Sequence, residues 1–128
     1  DHSNQKRTNL VEAIDDYFIS KFKKVILIKN ATTNTESPAW AVDRLSILVL
    51  KIYHMAEESS RISATKNHRE RCLQKLLILK HQKSDLCLAI DQLIKDISEG
   101  RKIMKVYRQM KMYNDEDLNP ILYKKNKD

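Results

Sequence analysis

Ser37–Ile62, SPAWAVDRLSILVLKIYHMAEESSRI, is the stretch whose reading decides the fold. It opens on Ser-Pro, a helix start: Ser caps free N–H groups and Pro suits the first turn. From Leu45 to Met55 only Ser46, Lys51 and His54 interrupt the apolar residues. A helix apolar on nearly every face must be covered on nearly every face, so this stretch reads as the central helix of a bundle. Ala41, Leu45, Leu48, Ile52, Met55, Ser59 and Ile62 form its seam, at three- and four-residue spacing.

Beyond Ser63–Lys66 the helical pattern frays, and Thr65 or Asn67 can cap a second long helix running from about Asn67 to Glu99 or beyond. Its seam is Cys72, Leu76, Leu79, Lys83, Leu86, Ile90, Leu93 and Ile97. Strict 3–4 alternation over this length predicts antiparallel packing on the central helix. At Gly100 the apolar stripe shifts by roughly a quarter to a third of a turn, to Ile103, Val106, Tyr107, Met110 and Tyr113. Glycine allows a break there, so a kink or a new helix is expected. Read as a helix, GRKIMKVYRQMKMY sets Arg101, Lys105 and Arg108 opposite that stripe, a basic amphipathic face. Asn114 suits a helix end, Asn119-Pro120 a turn, Ile121–Tyr123 a return onto the bundle, and residues 124–128 a disordered tail.

Upstream, a helix from about the start to Lys24 carries Leu10, Ile14, Tyr17 or Phe18, and Phe22 as its apolar face. Asp1, Gln5, Thr8, Glu12 and Asp15 form a separate polar stripe. The pattern is in phase at residue 1 without a cap, so the helix is expected to begin further upstream in a truncated or processed chain. Lys29–Glu36 reads as a polar connector. The expected fold is all-α: an antiparallel helical bundle of three long helices, with a kink or break near Gly100, a short C-terminal extension, and one domain over 1–123.

Composition agrees. One Gly and two Pro in 128 residues leave too few turn residues for a β-rich fold. No run reaches the ~20 apolar residues of a membrane span. Cys72 and Cys87 would lie roughly 22 Å apart on one helix, beyond disulfide reach, so both read as reduced core thiols of a cytoplasmic protein. The net charge of +7 comes from 24 bases interspersed with 17 acids, which a solvated helical surface explains. Nucleic-acid binders usually show a denser patch than three aligned bases.

Lys51 is the residue that stands out, because an ammonium among Leu48, Val49, Leu50, Ile52 and Tyr53 is costly unless paired or exposed. Arg44 lies two turns earlier on its face and Glu58 two turns later, with Asp43 and His54 beside them. One reading is an anion-binding or acid–base cluster. The other, which leads, has Lys51 snorkelling to a surface groove while Arg44 and Asp43 form packing ion pairs. Likewise Arg7, Glu12 and Asp15 make either a solvated face or a cluster facing the Arg44/Lys51 row. Candidate catalytic groups are Glu12, Asp15, Asp43 and His54; candidate ligand-binding residues are Arg7, Arg44, Lys51, Arg101 and Lys111. No metal or cofactor is expected. His54 with Glu57 or Glu58, and His81 with Asp85, supply two ligands each, and a single Gly excludes a glycine-rich phosphate loop.

Three blocks together resemble a known family, the bacterial domain of unknown function 4254. They are Asn4-Gln5-x-Arg7 with Glu12-x-x-Asp15; Ser37-Pro38 with Asp43–Leu48 and Lys51–Met55; and Gly100–Lys102 with Tyr107–Asp115 and Asn119-Pro120. The wording is similar to its Bacteroidetes branch. The resemblance implies an all-helical protein without an established activity, in a cell-envelope glycan context, whose relatives are longer at the N-terminus. The expected function is binding, as an accessory factor for an anionic ligand or acidic partner. An all-α enzyme acting on a phosphorylated sugar or nucleotide is the alternative, a nucleic-acid-binding module the third reading, and self-association through an open apolar groove stays open. Convergence of Arg7, Asp15, Arg44 and Lys51 on one pocket would favour the ligand or enzyme reading.

Overall fold

A computed structural model describes residues 2–107. Three helices dominate: α1 (His2–Lys21), α2 (Pro38–Ser59) and α3 (Lys66–Ser98). Two three-residue strands, β1 (Thr32–Asn34) and β2 (Lys102–Met104), pair in parallel with Thr32 opposite Lys102 and Asn34 opposite Met104. The mostly helical architecture stands as expected, with a small sheet added.

The α2–α3 hairpin is the body of the fold. The Ser37 hydroxyl caps α2 by accepting from the Trp40 amide at 3.3 Å, and Pro38 occupies the first turn. Thr65 caps α3 by accepting from the His68 amide at 3.1 Å. Cys72, Leu76, Ile90 and Ile97 of the α3 seam are buried, with Leu79, Leu86 and Leu93 half-buried. Lys83, at the same spacing, is exposed. The α2 seam holds from Ala41 to Ser59 but excludes Ile62, which is 94% exposed: α2 ends at Ser59, and Ile62 falls in the turn.

On α1 the expected apolar face is packed in part: Ile14 and Phe18 are half-buried, as is Phe22 just beyond the helix. Leu10 and Tyr17 are more than half exposed, whereas Val11 and Asp15 are buried. The polar stripe turns toward the bundle, and Arg7, one turn before Val11, pairs with Asp43 of α2 at 3.1 Å.

Gly100 breaks α3 as expected, by a Schellman arrangement. Its amide donates to the Ile97 carbonyl at 3.1 Å, and the Arg101 amide to the Asp96 carbonyl at 2.8 Å. Gly100 has φ +76°, and a Cβ there would overlap the Ile26 carbonyl oxygen. Past this glycine the chain runs as a strand and then extended to residue 107, in place of the expected amphipathic helix. Once the glycine has turned the chain back, the Arg101 carbonyl accepts from Thr32, and β2 completes its hydrogen bonds against the connector. The remainder of that expected helix, the turn at Asn119-Pro120, Ile121–Tyr123 and the 124–128 tail lie outside the described residues.

Candidate functional site

Two regions hold the chemistry. The first lies where α1, β1 and the start of α2 meet. Asp43, its side chain only 10% exposed, takes Arg7, and Arg44 reaches Glu36 at 3.3 Å. Asn34 donates through its side chain to the Glu36 carbonyl. A cleft of about 490 Å³ opens among Thr35, Glu36, Trp40, Asp43, Arg44 and Ile47. Each guanidinium here already has a carboxylate, so the cleft offers an anion no uncommitted cation. Asp15 is 1% exposed, with an Oδ1 that finds no hydrogen-bond partner among the described residues.

The second region is the groove between α2 and α3, formed by two adjoining cavities that share Lys51. One, of about 480 Å³, is lined by Arg44, Ile47, Leu48, Gln82, Leu86 and Ala89, with the carboxylate of Asp85 on the α3 side. The other, of about 430 Å³, has Met55, Ile78 and Leu79 as its floor, with Lys51 on the α2 wall and Lys75 on the α3 wall. Both lysines are exposed. Among the described residues, neither has a carboxylate within ion-pair distance. The antiparallel hairpin thus sets two free ammonium groups across an apolar floor, one from each helix.

At the closed end of that groove Glu58 is the hub of the α2–α3 turn. Arg61 grips it with two hydrogen bonds, 2.8 and 3.1 Å, and His68 Nε2 sits 2.9 Å from the same carboxylate. The Arg61 hydrogen bonds first, and His68 second, hold the Glu58 carboxyl down at about 2. The same contact raises the Arg61 guanidinium. Glu58 is therefore committed to its own turn. Cys72 Sγ lies 3.5 Å from His68 Nε2 as well. One ring nitrogen serves both carboxylate and thiol, so no Cys–His–carboxylate relay is set up, since that needs both ring nitrogens. No group of three metal-ligating side chains occurs among the described residues.

The sequence candidates therefore separate. Arg7 and Asp43 pair with each other, Arg44 with Glu36, and Arg101 with Asp96 and Glu99. Glu12 is half-buried on α1, and His54 lies at the groove mouth, 3.7 Å from Glu57. Lys51 lines the groove; Lys111 lies outside the described residues. Arg44 and Lys51 line one cavity, to which Arg7 and Asp15 do not contribute. Lys51 reaches the surface groove, while the Arg44 and Asp43 groups make packing pairs. The basic row Arg101–Lys105–Arg108 loses its helix, because 101–107 is not helical. Lys75 is a site residue that sequence reasoning missed; folding the two long helices antiparallel about residues 60–65 would have set it opposite Lys51.

The fold and these sites define a mostly helical protein with charged clefts among its described residues. A family model described as "Protein of unknown function (DUF4254)" matches residues 1–106, and the chain belongs to that family. No curated protein and no solved structure matches it. No helix among the described residues is long and apolar enough to cross a membrane.

Proposed function

We propose that this protein works by binding, and that its ligand is an anionic amphiphile held in the α2–α3 groove. The observation that carries the reading is the pair of ammonium groups, Lys51 and Lys75, without an ion-pair partner among the described residues, on opposite walls above Met55, Ile78 and Leu79. A phosphate or carboxylate head would take charge-assisted hydrogen bonds from both lysines, while an apolar body covers the floor. Glu58 does not compete, since Arg61 and His68 already hold it. Together with the resemblance in the sequence, this favours a bacterial, cytoplasmic accessory factor that handles phosphate-bearing intermediates of cell-envelope glycans.

Calorimetric titration with dodecyl phosphate, below its micelle concentration, tests the reading. Binding is expected, with inorganic phosphate and dodecanol each much weaker. Lys51→Glu and Lys75→Glu should each weaken it about tenfold, as expected for reversing one exposed charge contact. Affinity indifferent to both reversals would sink the proposal.

The enzyme reading, with Glu12, Asp15 or Asp43 as acid–base group on a phosphorylated sugar or nucleotide, keeps one supporting observation, the unpartnered buried oxygen of Asp15. It requires turnover of sugar nucleotides that Asp15→Asn abolishes.

A further inference from the structure

The central helix is apolar almost all round, yet it is not covered all round. At ~100° per residue, Val49 and Tyr53 stand about a quarter turn from the α2 seam. Leu73 and Leu77 stand a similar distance, in the same sense, from Cys72 and Leu76 on α3. In an antiparallel pair these quarters fall on one face of the hairpin, and Lys51, Lys75 and Ile78 fall on the other. Val49 is 43% exposed, Leu73 49%, and Tyr53 and Leu77 59% each. Leu88 extends the apolar surface at its outer edge and is also more than half exposed. Helix α1 leaves this area open, because its Arg7 anchor lies at Asp43, nearer the start of α2.

We propose that this face is the interface for a second copy of the chain, hairpin against hairpin, completing a four-helix core around a two-fold axis. Three observations select a second copy. The five side chains expose on the order of 400–500 Å² of apolar surface, as much as the largest patch of an ordinary monomer and about half of the ~800 Å² per partner of a stable complex. The charges on this face are of both signs, and so compatible with self-pairing: Lys66 and Lys80 share the stripe of Leu73, Glu70 and Asp91 that of Leu77. Arg69 is spent on the carbonyls of Arg61, Ile62 and Ala64, and Lys80 can carry its head to the rim on a flexible stem. A two-fold through the opposite face would instead set Lys51 and Lys75 against their own images, so the lysine groove repels a copy where this face accepts one. Tyr53, large and amphipathic, is a residue type favoured at such centres.

Pairing through this face is independent of the ligand proposed for the groove, and its test is the mass of the full chain by light scattering over a concentration series. A dimer is expected, and Leu77→Glu should raise its dissociation constant at least 100-fold while the far-UV circular dichroism keeps its helical signal. Ile78→Glu, next along the same helix but on the groove face, should leave the dimer intact. A wild-type monomer at about 100 µM overturns the proposal and gives the face to another occupant, such as residues 108–128 or a different protein. Dimers that survive Leu77→Glu, or that fall apart equally with Ile78→Glu, also overturn it.

Discussion

Replacing Gly100 with alanine tests whether one close backbone approach holds the α1–α2 connector against the end of α3. Three effects add. Alanine at φ +76° costs about 1–2 kcal/mol in the left-handed region. Its Cβ would overlap the Ile26 carbonyl oxygen and lie 3.1 Å from that carbonyl carbon and 3.2 Å from Leu27 Cα, so backbone must move. That movement pulls on two bonds, Ile28 amide to Gly100 carbonyl at 3.0 Å and Thr32 amide to Arg101 carbonyl at 3.1 Å, each worth about 1 kcal/mol. The total is about 2–4 kcal/mol, a large fraction of a domain's ordinary stability. Urea unfolding followed by circular dichroism reads it directly. Gly100→Asn separates the causes, because asparagine tolerates the left-handed region but keeps the Cβ; it should still lose about 1–3 kcal/mol. A Gly100→Ala loss below about 1 kcal/mol would refute both the backbone strain and the close approach. A Gly100→Asn variant as stable as the wild type would refute the close approach alone.

Two further predictions concern carboxylates. Glu58 is held at about 2, below its ordinary 4.5, chiefly by the Arg61 hydrogen bonds. A depressed carboxyl stabilises the folded chain above its unfolded value, and that contribution is lost as pH falls from about 4.5 through about 2. A carbon-detected NMR titration should place the Glu58 midpoint near 2 and move it upward in Arg61→Ala; a wild-type midpoint above about 4 contradicts the geometry. Asp15→Asn should raise the urea midpoint, by about 1 kcal/mol in free energy, because a neutral amide is cheaper to bury than a carboxyl group with an unpartnered oxygen. Destabilisation by more than about 1 kcal/mol would mean that Asp15 has a donor after all.

What could be read from sequence depended on how local its cause was. The α3 seam was legible because successive turns of packing impose one spacing, and Ser37, Thr65 and Gly100 were legible because caps and breaks are written within a few residues. The strands were not. Thr32–Asn34 is polar and only three residues long, and what makes it a strand is Lys102–Met104, remote in sequence. The burial of Val11 and Asp15 on α1 was hidden for a similar reason: Arg7 finds Asp43, and α1 its place on the bundle, only in three dimensions. Of the candidate site, Lys51 announced itself as a charge in an apolar run. Lys75 sits in a run whose charges are common, and its meaning comes from the helix opposite.

The pairing of β1 with β2 has a consequence for the order in which the chain assembles. Everything between Thr32 and Lys102, the entire α2–α3 hairpin, lies inside the loop that this pairing closes. Hairpin contacts are local in sequence and form early, whereas a parallel pair spanning so long a segment must meet its closure entropy with only a few hydrogen bonds. The clasp therefore closes on a hairpin already formed, and opens before it. In hydrogen exchange the amides of Ile28, Thr32 and Lys105 should report a low-energy, sub-global opening, while those of the α3 core wait for the whole molecule to unfold.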